Sequence, residues 1–122
     1  MLTIVLPYLP PKELSPNAGK KWNVHKINRI TREAQEDVIA RVFEQQPRGK
    51  PLERATVTVT FVVPDLRRRD KDNLIAASKA WRDGLVKAGV IADDSWGFIR
   101  EVYPDIVYSK GESKTIIEVT DA

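Results

Sequence analysis

Residues 55–74 read ATVTVTFVVPDLRRRDKDNL, and the strongest structural and chemical signals of the chain both fall within them. Thr56, Thr58 and Thr60 interleave with Val57, Val59 and Phe61, and Val63 continues the series, which is the period of a strand with one buried face. Three arginines, Arg67, Arg68 and Arg69, then meet Asp70 and Asp72 where the strand gives way to a helical pattern. Functional residues concentrate at such junctions.

Downstream, residues 73–88 place Leu74, Ala77, Trp81, Leu85 and Ala88 at helical spacing, and Gly89 suits the left-handed position that ends a helix. Upstream, Thr31 is the expected cap of a helix running to about residue 46. Its stripe is Ala34, Val38 and Val42, with Ile39 and Phe43 alongside, and Pro47, Gly49 and Pro51 stop it. Further strands are expected at residues 2–6, at 98–108 with Pro104 marking an edge or bulge, and at 115–120. Between the first strand and the first helix, Pro7, Pro10, Pro11, Pro16 and Gly19 predict a long irregular loop. The order β, loop, α, β, α, β, β predicts one α+β domain over residues 1–122, a small mixed β-sheet with two main helices.

The 122 residues suffice for one hydrophobic core. No apolar run reaches the ~20 residues of a membrane span and no signal peptide opens the chain, so a cytoplasmic protein is expected. Cysteine is absent, which removes disulfides, thiolate nucleophiles and zinc–thiolate sites, and His25 is the lone histidine. The chemistry left to the chain uses carboxylates, lysines, arginines and hydroxyls. Basic charge is concentrated early: residues 1–32 hold six Lys and Arg against Glu13 alone, a local net charge of +5. Lys20, Lys21 and Lys26, with Trp22 available for stacking, suit a phosphate backbone.

A second acidic pair, Asp93-Asp94, follows the second helix. A helix of sixteen residues spans ~24 Å, and the residues between Ala88 and Asp94 reach back at most ~17 Å, so convergence with Asp70 and Asp72 is borderline on spacing. If these carboxylates converge, their oxygen-only donor set selects Mg²⁺, with Mn²⁺ as a substitute. Such an ion polarises a phosphoryl oxygen and lowers the pKa of a coordinated water, which suits phosphodiester hydrolysis. On a continuous helix Lys79 lies about 20° round from Asp72, so its ammonium is expected to approach the acids and stabilise charge on a pentavalent phosphate. The plainer reading is that Asp70 caps a helix, the arginines pair with it, and Lys79 is solvated.

The run Arg67-Arg68-Arg69-Asp70-Lys71-Asp72-Asn73-Leu74, followed by Asp83-Gly84-Leu85 and Ala88-Gly89-Val90-Ile91-Ala92-Asp93-Asp94-Ser95, resembles the RusA family of Holliday junction resolvases of bacteria and their prophages. Leu6-Pro7, Ser15-Pro16-Asn17 and Trp22 resemble the family's N-terminal segment. The resemblance covers most of the chain and departs from the pattern at Trp96-Gly97-Phe98. It implies a RusA-like homodimer, a Mg²⁺-dependent endonuclease that resolves four-way DNA junctions by paired symmetric nicks in recombination and repair. Carried over by residue, it implies Asp70, Asp72 and Asp94 as metal ligands and catalytic residues, Asp93 as an auxiliary ligand or hydrogen-bond partner, and Lys79 as the catalytic lysine. Arg67, Arg68, Arg69, Lys20, Lys21 and Lys26 would hold the DNA. Two rivals stand beside this reading: a non-catalytic branched-DNA-binding protein of the same fold, and a metal-dependent nucleotide hydrolase.

Overall fold

A computed structural model describes residues 1–16 and 23–122. Its four strands, β1 (Leu2–Leu6), β2 (Ala55–Val63), β3 (Ile99–Tyr108) and β4 (Lys114–Asp121), form one sheet in the order β1-β4-β2-β3. β4 pairs antiparallel with β1 and β2, while β2 and β3 run parallel, so the sheet is mixed and the fold is α+β. The alternation of β2 sets the register. Val57 stands opposite Val119 and Val59 opposite Ile117, and all four are buried on the face that packs against the helices. Pro104 sits where the β2–β3 register slips, between the Thr58–Val102 and Thr60–Asp105 pairs. Both expectations for this proline hold, since β3 is also an edge strand.

The first helix, α1 (Val24–Gln45), starts seven residues before the expected Thr31. Asn23 is the cap: its Oδ1 accepts from the Lys26 backbone N–H at 2.8 Å. The irregular basic segment is therefore shorter than the sequence suggests, and Lys26, Arg29 and Arg32 ride on the helix. The buried stripe is Ala34, Val38 and Val42 as expected, with Ile39 partly buried and Phe43 exposed.

In place of one second helix there are two, α2 (Lys71–Ala77) and α3 (Lys79–Lys87), broken at the buried Ser78. Its hydroxyl donates to the Ile75 carbonyl at 2.7 Å and its N–H is shared between Leu74 and Ile75. This local bonding tightens the turn between the two helices. α3 packs on α1 through Ala80, Trp81, Gly84 and Leu85, with the Trp81 ring 6.3 Å from that of Tyr8. Gly89 ends α3 at φ +77°. Its N–H bonds Val86 and that of Val90 bonds Leu85, a Schellman turn. The Leu52 N–H then donates to the Val90 carbonyl and the Leu52 carbonyl accepts from the Ala92 N–H in a short parallel bridge, which pins the chain just before Asp93. Among the described residues no helix is long and apolar enough to cross a membrane.

The helix contact is tightest at Gly84. A Cβ there would lie 2.9 Å from the Gln35 carbonyl oxygen and 3.0 Å from Val38 Cβ. Alanine in place of glycine ordinarily favours a helix by up to ~1 kcal/mol, but a backbone oxygen cannot step aside, and overpacking costs ~1–3 kcal/mol. Gly84→Ala should thus lower the unfolding free energy by roughly 1–2 kcal/mol, read as a lower urea midpoint with unchanged slope. A higher midpoint would mean that α1 and α3 separate freely.

Candidate functional site

The expected acidic residues occupy two places along α2 and α3. At the first, Asp70 caps α2, its Oδ1 accepting from the backbone N–H of Asp72 at 2.9 Å and of Asn73 at 3.4 Å. Asp72 is exposed on the first turn. Asp70 borders a groove of about 280 Å³ that also touches Lys12, Arg67, Arg69 and Asn73.

The arginines divide their work. The Arg69 guanidinium lies on the Asp65 carboxylate at 2.8 Å and reaches the carbonyls of Asp65 and Arg67, so it closes the turn between β2 and α2. The Arg69 hydrogen bond and the Arg67 backbone N–H hold the Asp65 carboxyl below its ordinary pKa. Arg67 and Arg68 are exposed. Lys12, on the 3₁₀ turn Lys12–Leu14, faces the same groove. Nothing in its sequence context sets Lys12 apart from the other early lysines. Lys71 stands 4.8 Å over the Tyr103 ring, tying the start of α2 to β3.

At the second place Lys79 Nζ lies 3.1 and 3.2 Å from the two Asp83 oxygens and 4.0 Å from Asp94 Oδ2. Asp93 shapes the turn: its Oδ1 accepts from the Asp94 N–H at 2.7 Å and its Oδ2 from the Ser95 hydroxyl at 3.1 Å. That is the hydrogen-bonding role, and it leaves Asp94 to face α3. Lys79 and Asp83 line a groove of about 340 Å³ with Glu13, Ser15 and Ala77. Ser15 and Ala77 also wall the Asp70 groove, so the two depressions adjoin along α2.

The break at Ser78 explains the arrangement. The 20° relation between Asp72 and Lys79 requires one continuous helix, and α2 and α3 do not form one. Lys79 pairs instead with Asp83, one turn further on, and with Asp94, which the Gly89 turn carries back alongside α3. Among the described residues no group of three or more His, Cys, Asp or Glu side chains is arranged to hold a metal ion. Asp83 is a member of the site that sequence reading passed over. Its signal was available in the i, i+4 spacing from Lys79. Lys20, Lys21 and Trp22 lie outside the described residues, and Lys26 is on the first turn of α1.

No protein-family model matches the chain. An uncharacterized protein of Xylella fastidiosa is 32% identical over 96 residues, which cover 76% of this chain and 61% of that relative. The chain thus spans less than two thirds of the length of the protein it matches.

Partial burial raises the Asp94 pKa above its ordinary value, and the hydrogen bond and negative charge of Asp83 add to the rise, while Lys79 opposes it. The sign follows from proton counting: the native state holds the proton over a range where the unfolded chain has released it. The associated stability is complete below the ordinary aspartate pKa and is lost as pH rises through the raised value. Asp83→Asn should move the Asp94 titration part of the way back, as read by carboxyl carbon NMR on the metal-free protein. An unmoved titration would assign the whole rise to burial.

Proposed function

We propose that this chain is a Mg²⁺-dependent, structure-selective endonuclease of the RusA type that works as a homodimer and nicks branched DNA, with the four-way junction as its substrate. The observation that carries the reading is the Lys79 ammonium held between Asp83 and Asp94, beside a groove that continues to Asp70. A cation fixed next to carboxylates, with exposed arginines at the groove's other end, suits a phosphodiester whose charge grows during cleavage. The motif order from Arg67 to Ser95 points the same way.

The donor chemistry fits the ion. Asp70, Asp72 and Asp94 offer only carboxylate oxygens, the preference of a hard cation. Asp94 and Asp83 also crowd like charge that a divalent ion relieves. When bound, Mg²⁺ supplies Lewis-acid polarisation and an activated water. The protein's own groups do the rest. Arg67 and Arg68, with Lys12, seat the backbone phosphates; Asp83 orients Lys79; and Lys79 neutralises charge on the phosphoryl oxygens.

The homodimer finds support in the uncovered sheet face. Opposite the helices, Val5 on one edge strand and Val107 on the other are 46% and 43% exposed.

The test is cleavage of a labelled four-way junction against a linear duplex of the same sequence, each with Mg²⁺ and with EDTA. Paired Mg²⁺-dependent nicks confined to the junction are expected. Asp72→Asn should keep junction binding in EDTA and lose cutting, and Lys79→Ala should slow cutting by ~100-fold or more with binding retained. Tight junction binding without cutting in any metal would leave a binding protein of the same fold. Neither binding nor cutting would turn attention to small nucleotides as substrates.

A further inference from the structure

Beyond the acidic turn, the chain presents an aromatic side chain to water. Trp96 is 97% exposed and stands two residues after Asp94, and Phe98 is 40% exposed. Exposure alone would mean little on a floppy loop. This turn, however, is closed by hydrogen bonds from the Phe98 and Ile99 N–H groups to the Ser95 carbonyl, at 2.9 and 3.3 Å. It is anchored on one side by the Ser95 hydroxyl on Asp93 and on the other by the Ala55 N–H on the Phe98 carbonyl. The indole is therefore displayed from a braced position continuous with the Asp93–Asp94 turn.

Beside it runs a groove of about 350 Å³ whose lining includes Arg54, Trp96, Gly97, Phe98 and Arg100. Ala122, the last residue of the sequence, also lines it with its main chain; among the described residues no carboxylate side chain does, although Glu53 and Asp121 border the adjoining depression. At Gly97, between the two aromatic residues in sequence, nothing stands within 4 Å of where a Cβ would be. Flat aromatic surface flanked by two guanidinium groups matches a nucleobase with its phosphates: the ring stacks, and the cations take the backbone. An apolar peptide would gain nothing from the two arginines.

We propose that the Trp96 turn, with Arg54 and Arg100, holds an unpaired nucleotide of a DNA strand next to Asp94. Inside a continuous duplex each base is already stacked between its neighbours, and a base is free to leave the stack only at a branch, gap or single strand. The turn thereby selects for DNA with an interrupted stack. The proposal rests on the DNA-cleaving reading above and adds a reason for substrate choice.

The full chain in EDTA is titrated by fluorescence anisotropy with a labelled oligo-dT strand about 15 nucleotides long and with a duplex of equal length. Trp96→Ala should weaken single-strand binding about ten-fold, Trp96→Phe should stay within about two-fold, and duplex affinity should not change. Arg54→Ala and Arg100→Ala should weaken the strand complex and flatten its salt dependence. Wild-type affinity of Trp96→Ala for the strand overturns the proposal. So does a change confined to sedimentation mass, which would assign the indole to a second copy of the chain. Junction cleavage by the wild type, run in parallel, separates the two readings. Cleavage without any Trp96 effect removes the groove alone, whereas a Trp96-dependent strand complex without cleavage removes the nuclease reading and leaves the groove.

Discussion

The close approach of α3 to α1 at Gly84 governs what lies on either side of it. Because no side chain intervenes between the α3 backbone and the Gln35 carbonyl, Trp81 and Leu85 sink fully into the core while Lys79 and Asp83 stay at the surface on the opposite side of the same helix. Trp81, one turn earlier, fixes the roll of α3 by filling the space under Tyr8. A helix of nine residues cannot hold its own orientation through backbone bonds alone. Its packing sets the direction in which its polar residues face.

The second half of the site depends on a different constraint. The Schellman turn at Gly89 reverses the chain at once, and the Leu52 bridge prevents Val90 and Ile91 from drifting. Asp94 is then brought beside Asp83 and partly buried; the burial first, and the Asp83 hydrogen bond and charge after it, raise its pKa. At the other end of the groove the balance is reversed: Asp65 is spent on Arg69, and its lowered pKa reports a satisfied pair. One carboxylate closes a turn, and the other is held partly buried between Asp83 and Lys79.

The parts of the fold carried by repeating patterns were legible in the sequence. The Thr/Val alternation of β2, the Ala34–Val38–Val42 stripe and the glycine stop at Gly89 each state a geometry in their spacing. The start of α1 was less legible, because Asn23 and Thr31 are both good caps, although Val24, Ile27 and Ile30 already stand at helical spacing ahead of Ala34. The break at Ser78 was hidden for the opposite reason. The apolar spacing from Leu74 to Ala88 runs through it undisturbed, and a serine hydroxyl bonding its own helix leaves no trace in a hydrophobic pattern. Hence the ion pairs Lys79 makes, with Asp83 and Asp94, were not the ones its spacing from Asp72 suggested.

That break has a structural consequence for the candidate site as a whole. With one straight helix, the carboxylates at its start and the lysine in its middle would share a face at fixed distance. With two helices hinged at a buried serine, Asp70 and Asp72 belong to one rigid piece, and Lys79 and Asp83 belong to another. The Asp94 turn is pinned to the second piece. Between the two acidic groups lie the Ser78 hydrogen bond to Ile75 and the two residues that wall both grooves, Ser15 and Ala77.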